Sequence, residues 1–266
     1  MVGAEQRKAL EASSTHRQEC SDRNACDVEL LSVGAFSPLT GFMNKDVYEH
    51  NLKEMRLPGS NLLFGLPVVL DTHDPTVKEG SKVLLEYKGQ KLGLLEVESK
   101  WSPDKALETK LAYGTSSLEH PGVRMVAMER GHHYIGGKLH GFELPKRWAN
   151  DDIPGIVRYK TYEVLREELN NPRIKWAYLP YSMHMAGPRE AIQHMLLRKN
   201  YGCTHFIVGR DMAGSKSSIT TCESPALACT SMDAKAANLK VRKLSGTDFR
   251  KRLRAGEDIP DWFAFK

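Results

Sequence analysis

Short apolar runs bounded by polar and glycine residues give a β signal from Phe64 to Ser99. Leu66–Asp71 reads as one strand, and Lys82–Tyr87 and Lys91–Glu98 as a hairpin around Lys88-Gly89-Gln90, since a glycine in a short polar gap marks a tight turn. Further turns at Gly114, Pro121-Gly122 and Gly136-Gly137 predict a small β-barrel-like domain ending near Arg147. Ahead of it, residues 1–25 form a polar, partly helical lead-in. Cys26–Val33 is short and apolar-alternating, and Gly34–Met43 is a compact structural turn.

The pattern changes at Trp148-Ala149-Asn150. Asp151-Asp152-Ile153-Pro154 reads as a helix entry, and Ile156–Leu169 as an amphipathic helix with Tyr162, Leu165 and Leu169 on one face. An apolar run, Ile174–Pro180, leads through Tyr181–Gly187 to Pro188, a residue favoured at a first helical position. Ile192, Met195, Leu196 and Lys199 follow at helical spacing, and Gly202 stops the helix where a left-handed residue is usual. A second apolar run, Cys203–Val208, ends in Gly209–Gly214. This order predicts a βαβ unit with parallel strands. Residues 215–238 read as loop and Leu239–Leu244 as a last strand. A helix over Asp248–Ala255, N-capped by Thr247 and closed by Gly256, precedes an aromatic end-piece at 258–263. The predicted class is α/β.

Ligands of parallel sheets bind outside the carboxyl ends of the strands, and three loops fall there. The first contains Met183, His184, Met185, Ala186 and Gly187 and opens a helix whose N-terminus favours an anion; the alternative is a well-capped surface helix. The second, Gly209-Arg210-Asp211-Met212-Ala213-Gly214, presents a guanidinium that can grip two oxygens of sulfate or phosphate at once; the alternative is an internal Arg–Asp pair. The third, Ser245-Gly246-Thr247 with Arg250 one turn on, suits a polyphosphate; taken alone it is an ordinary cap. The first two read as the two walls of one anion or nucleotide crevice, on which all three loops converge. No paired carboxylates, Ser-His-Asp set, metal cluster or Walker glycine loop stands out. That points to positioning and charge stabilisation, as in transfer at phosphorus.

Composition narrows the class. The 266 residues are 41% hydrophobic and 27% charged, as in soluble globular proteins, and no apolar run approaches the ~20 residues of a membrane helix. The net charge of +5 fits a chain that handles anions, but its cations are scattered, which argues against nucleic acid as a partner. Five cysteines (Cys20, Cys26, Cys203, Cys222, Cys229) form no Cys-x-x-Cys pair, which predicts a reducing compartment and no zinc; Cys203 falls in a predicted apolar strand. Met1–Ala25 lacks a secretory apolar segment and is too acidic for a typical transit peptide. The cytoplasm is expected, or a plastid if a transit peptide is missing from this chain. His132-His133 on a strand would face opposite sides, one packed and one solvated.

Several stretches carry a resemblance. Gly34–Asn44 (GAFSPLTGFMN), Tyr113-Gly114-Thr115, His120–Val123, Tyr134–Lys138 (YIGGK), Met185–Ala191 (MAGPREA), Lys199–Gly214 (KNYGCTHFIVGRDMAG) and Ser245–Phe263 resemble sulfate adenylyltransferase (ATP sulfurylase) of the algal and bacterial type. The resemblance implies a PUA-like N-terminal β-barrel domain over 1–147 and a Rossmann-like nucleotidyltransferase domain over 148–266. It implies ATP and sulfate as substrates, magnesium as the counter-ion of ATP and no bound prosthetic group. Homo-oligomers, or pairing with a full-length sulfurylase, are the partners it suggests. By the same resemblance Gly209, Arg210, Asp211 and Met212 line the pocket, Ala213 offers its backbone to sulfate, and the Ser245-Gly246-Thr247 helix helps shape the site. Met212 stands where many members have histidine. The family's Gln-x-Arg-Asn-Pro-x-His-x-x-His signature is missing: Pro145–Asn150 runs directly into Asp151–Pro154. A block of several dozen residues is absent there, and a second after Gly214, so the catalytic domain reads as truncated.

Overall fold

The computed structural model describes residues 1–146, 155–208, 212–214 and 246–258. It divides into two compact units, Met1–Thr220 and Thr221–Lys266. The first opens with α1 (Ala4–Ala12), β1 (His16–Glu19) and α2 (Asp22–Ser32). The short alternation at Cys26–Val33 therefore belongs to a helix. Ser21 caps it by accepting from the Asn24 N–H, and the Asn24 side chain returns a bond to the Ser21 N–H. This reciprocal cap satisfies donors that the helix leaves open, and it overrides a weak period. The Gly34–Met43 turn packs inward as expected, with Ala35, Phe36, Phe42 and Met43 buried.

Next come β2 (Gly41–Phe42), α3 (Lys45–Glu54), β3 (Leu70–Thr72), β4 (Lys82–Tyr87), β5 (Gln90–Trp101), α4 (Lys105–Tyr113), α5 (Pro121–Arg124), a π-turn (Met125–Glu129) and β6 (His133–Gly141). The strand expected at Leu66–Asp71 is only three residues, Leu70–Thr72, because β6 offers a ladder no longer than Ile135 to His133 on that edge. The hairpin is where the two runs around Lys88-Gly89-Gln90 put it, its turn formed by Lys88 and Gly89 with φ of 48° and 79°. Two positive φ values match the twist of the flanking strands. The strands form one sheet ordered β1-β4-β5-β6-β2, with β3 also on β6; β1 pairs parallel to β4 and the other pairs are antiparallel.

Both faces of the hairpin are covered. Leu85, Leu92, Leu95, Tyr134 and Ile135 enter the main core, while Leu84, Leu94 and Phe142 pack with Val2 and Leu10 on the other side. Glu108, 1% exposed, accepts from Arg130 at 2.7 Å, Tyr48 at 2.8 Å and Tyr134 at 2.9 Å. A buried charge is tolerated only when bonded this fully. His132 is exposed and His133 half-buried, the latter bonded to Ser102.

Two further helices complete the first unit, α6 (Gly155–Leu169) and α7 (Pro188–Asn200). Both exist as predicted, but their buried faces differ from expectation. Tyr162, Leu165 and Leu169 are exposed, and the buried residues of α7 are Glu190, Gln193, His194 and Leu197 rather than the Ile192, Met195, Leu196 and Lys199 stripe. The runs Ile174–Pro180 and Cys203–Val208 form no strand, and Cys203 is exposed. A strand is defined by its ladder partner, and neither run has one among the described residues. The Asp151–Pro154 entry, the 215–238 loop, Leu239–Leu244, Cys222, Cys229 and the end-piece from Ile259 lie outside the described residues. In the second unit, α8 (Gly246–Ala255) is followed by Gly256 at φ 66°. Thr247 lies inside its first turn and not at the cap. No helix of the described residues is long and apolar enough to cross a membrane.

Candidate functional site

Tyr181–Gly187 belongs to no helix or strand, so its polar groups need partners from elsewhere. Arg23 of α2 donates to the Ser182 hydroxyl at 3.0 Å and the Met183 carbonyl at 2.7 Å. Glu190 accepts from the His184 N–H and the Ala186 N–H, both at 2.9 Å. His120 Nε2 lies 3.0 Å from the Met185 carbonyl, and Tyr113 Oη 3.4 Å from His184 Nδ1. The Gly187 N–H donates to the Ala213 carbonyl at 2.9 Å. The path so held is unusual: Met185 at φ 60°, Gly187 at 58° and Ala213 at 56° are all left-handed. For the two that are not glycine this costs about 1–3 kcal/mol each, and such strain gathers at functional sites.

The helix behind the loop is seated by polar bonds. Arg189 donates to the carbonyls of Leu111 at 2.8 Å, Asn51 at 3.0 Å and Leu52 at 2.9 Å. These carbonyls lie in the last turns of α4 and α3, where a cation is favoured; those of Leu111 and Leu52 are open, and that of Asn51 also accepts from the Met55 N–H. Gln193 accepts from the Gly65 and Leu66 N–H groups, and Asn200 donates to the Ala35 and Ser37 carbonyls. Gly65 and Gly122 permit the close approach. A Cβ at Gly65 would lie 2.1 Å from the Arg189 carbonyl oxygen, and one at Gly122 2.5 Å from that of His184. Gly65→Ala is accordingly expected to lower stability by about 1–3 kcal/mol through overpacking. An unchanged urea midpoint would show that α7 is not seated there.

Burial dominates the electrostatics of the site. It pushes the His184 imidazole down to about 3 and lowers His120, so both are neutral near pH 7. Burial alone would raise Glu190, but the His194 side chain and the His184 and Ala186 N–H groups hold it below the usual carboxylate range. His194 Nε2 lies 3.8 Å from Glu190, and its ring meets Tyr181 edge-on at 4.7 Å. An open cleft of about 630 Å³ lies behind the loop, lined by Arg17, Arg23, Asp71, Arg130 and His184 among others. Its arginines are held by Glu86, by Ser182 and Met183, and by Glu108 respectively, so none is poised for an anion.

Of the predicted site residues, Met185 and Gly187 lie in this loop, and Ala213 is bonded to it, with Met212 adjacent. The Gly187–Ala213 bond thus joins the first loop to the end of the second. Gly209, Arg210, Asp211 and Ser245 lie outside the described residues. Gly246, Thr247 and Arg250 lie in α8, in the second compact unit. Sequence reasoning missed Arg23, Tyr113 and His120, which hold the loop from the N-terminal half. The signal for His120 was local: a polar residue directly before Pro121-Gly122 at a helix start.

The family model described as PUA-like domain matches residues 1–144, and the one described as ATP-sulfurylase matches 144–230. A sulfate adenylyltransferase of Symbiobacterium thermophilum is 33% identical, over 80% of this chain and 70% of that protein. The chain belongs to the sulfate adenylyltransferase family. It is α/β, a PUA-like domain followed by an ATP-sulfurylase domain, as the resemblance implied. The sulfate adenylyltransferase of Neurospora crassa is 30% identical, over 92% of this chain but only 60% of that protein's length. That alignment spans 344 residues, more than the 266 of this chain, so the relative carries internal positions with no counterpart here. A solved structure, a hexameric APS kinase from Thiobacillus denitrificans, matches with a TM-score of 0.60 at 17% identity, covering 99% of this chain and 64% of that one; the likeness is one of fold.

Proposed function

We propose that this chain, divided near 147/148, keeps part of a sulfate adenylyltransferase site and turns over weakly or not at all. The full reaction joins a sulfate oxygen to the α-phosphorus of ATP and releases pyrophosphate, giving adenosine 5′-phosphosulfate. The observation that carries the reading is the Gly187–Ala213 bond, which fastens a helix-start loop to the end of the Gly-Arg-Asp segment. In this reading Met185 and Gly187 approach the nucleotide, and Gly209, Arg210, Asp211 and Met212 line the pocket. Arg210 is the catalytic cation on the phosphates or sulfate, Ala213 offers its N–H to sulfate, and the resemblance gives Ser245, Gly246, Thr247 and Arg250 a part in nucleotide binding. Magnesium arrives with ATP as its counter-ion. The missing Arg and His donors of the signature would stabilise developing charge. Loss of one such donor costs ~10²–10³ in rate, so loss of several leaves little activity. The positions that the Neurospora relative has and this chain lacks support this.

The test is pyrophosphate release from purified chain with MgATP and sulfate, beside calorimetry with MgATP. Measurable nucleotide binding with little or no turnover is expected; turnover near that of a complete relative would overturn the truncation reading. A second reading, a catalytically dead subunit that pairs with a complete sulfurylase, is favoured by the exposed Val157, Tyr162, Val164, Leu165 and Leu169 of α6, an apolar surface of the kind that marks interfaces. Co-elution with a co-expressed complete chain would support it, and separate elution would dispose of it.

A further inference from the structure

The PUA-like match ends at residue 144, yet one of its side chains holds the candidate nucleotide loop. His120 is 0% exposed. Its Nδ1 accepts from the Gly122 N–H at 3.1 Å and the Val123 N–H at 3.4 Å. An accepting Nδ1 leaves the imidazole proton on Nε2, and that proton points at the Met185 carbonyl 3.0 Å away. Capping alone needs one oxygen, and Asn, Asp or Ser supplies it in less volume. The second nitrogen is what a cap does not require, and it reaches across to the other half of the chain.

Its target is the most constrained peptide of the loop. The two oxygens of Glu190 take the amides on either side, His184 and Ala186. The Met185 N–H is left without a partner among the described residues. With its carbonyl pinned by His120 and its φ at 60°, this residue turns a backbone donor out of the protein's own network, as a loop receiving a phosphate oxygen must. We propose that His120 is a positioning residue, which sets the left-handed turn at Met185 and through it the nucleotide loop. The PUA-like domain is then part of the site's framework and not a separate module. This rests on the nucleotide reading of that loop.

His120→Asn separates the two roles, because asparagine keeps the cap acceptor and loses the reach to Met185. In the full chain, hydrogen exchange at Gly122 and Val123 is expected to stay slow. Exchange at Ala186 and Gly187 should quicken, and MgATP affinity by calorimetry should weaken, each about tenfold, the worth of one buried hydrogen bond. Unchanged exchange at Ala186 and Gly187 overturns the positioning role whatever ATP does. Faster exchange with unchanged MgATP affinity overturns the link between the turn and the nucleotide. A wild-type chain that binds no MgATP overturns the nucleotide reading and this proposal with it. His120→Ala, losing the cap as well as the reach to Met185, should show the same changes together with faster exchange at Gly122 and Val123.

Discussion

Arg189→Met is expected to unseat α7 and cost about 3 kcal/mol or more, since each buried carbonyl left without a donor costs about 1–3 kcal/mol. Two carbonyls depend on this guanidinium, at Leu111 and Leu52, and a third, at Asn51, shares it with the Met55 N–H. Burial lowers its pKa and no carboxylate raises it, so helix ends are its counter-charge. Methionine fills most of the volume but offers neither donors nor charge, leaving two helix C-termini facing an apolar side chain. Urea denaturation gives the measure: the midpoint should fall with little change in slope. Arg189→Lys should recover only part of the loss, because an ammonium cannot hold the planar fork that spans two helices. Asn200→Ala acts at the other end of α7, about 16 Å away by the helix rise, and its effect should add to that of Arg189→Met. A wild-type midpoint for Arg189→Met would mean that α7 is not held from this end.

Why the sequence led to the wrong face of α7 follows from the same bonds. A search for apolar residues at helical spacing finds Ile192, Met195 and Leu196, but Met195 is 38% exposed. The side that docks carries Arg189, Gln193 and Asn200, whose partners are backbone groups of the N-terminal half, and no hydrophobic pattern announces such an interface. The β4–β5 hairpin was legible because its register is local: a turn of fixed geometry joins two runs that pair only with each other first. The runs Ile174–Pro180 and Cys203–Val208 carry equally apolar lettering. Their expected state depends on neighbours far along the chain, and a strand without a neighbour is only extended backbone. The loop lies beside Ala213, but the two parallel strands from which that neighbourhood was expected do not form among the described residues. Its clamps were not legible either, because Arg23, Tyr113 and His120 are remote in sequence and each looks like an ordinary helix residue or cap.

Glu190→Gln should release the loop and cost about 2–4 kcal/mol near pH 7, because a buried charged acceptor is replaced by an amide that satisfies one N–H and opposes the other. Glu190 is 0% exposed and bonds the His184 and Ala186 amides through separate oxygens. Only a carboxylate accepts at both. Its folded pKa is depressed below 4.5, so its contribution is fully present above that value and is lost as the pH falls through the lower, folded value. The groups facing it are His184, His194 and the Tyr181 hydroxyl, and His184 stays neutral until about pH 3. The gap in urea midpoint between wild type and Glu190→Gln should therefore be wide at pH 7 and narrow progressively below pH 4.5, with faster exchange of the Ala186 amide in the variant at neutral pH. A gap of equal width at pH 7 and below pH 4 would show that the carboxylate is not ionised in the fold. The account of the loop as a charge-clamped turn would then fail, and with it the reason why an unstrained path is not taken at Met185.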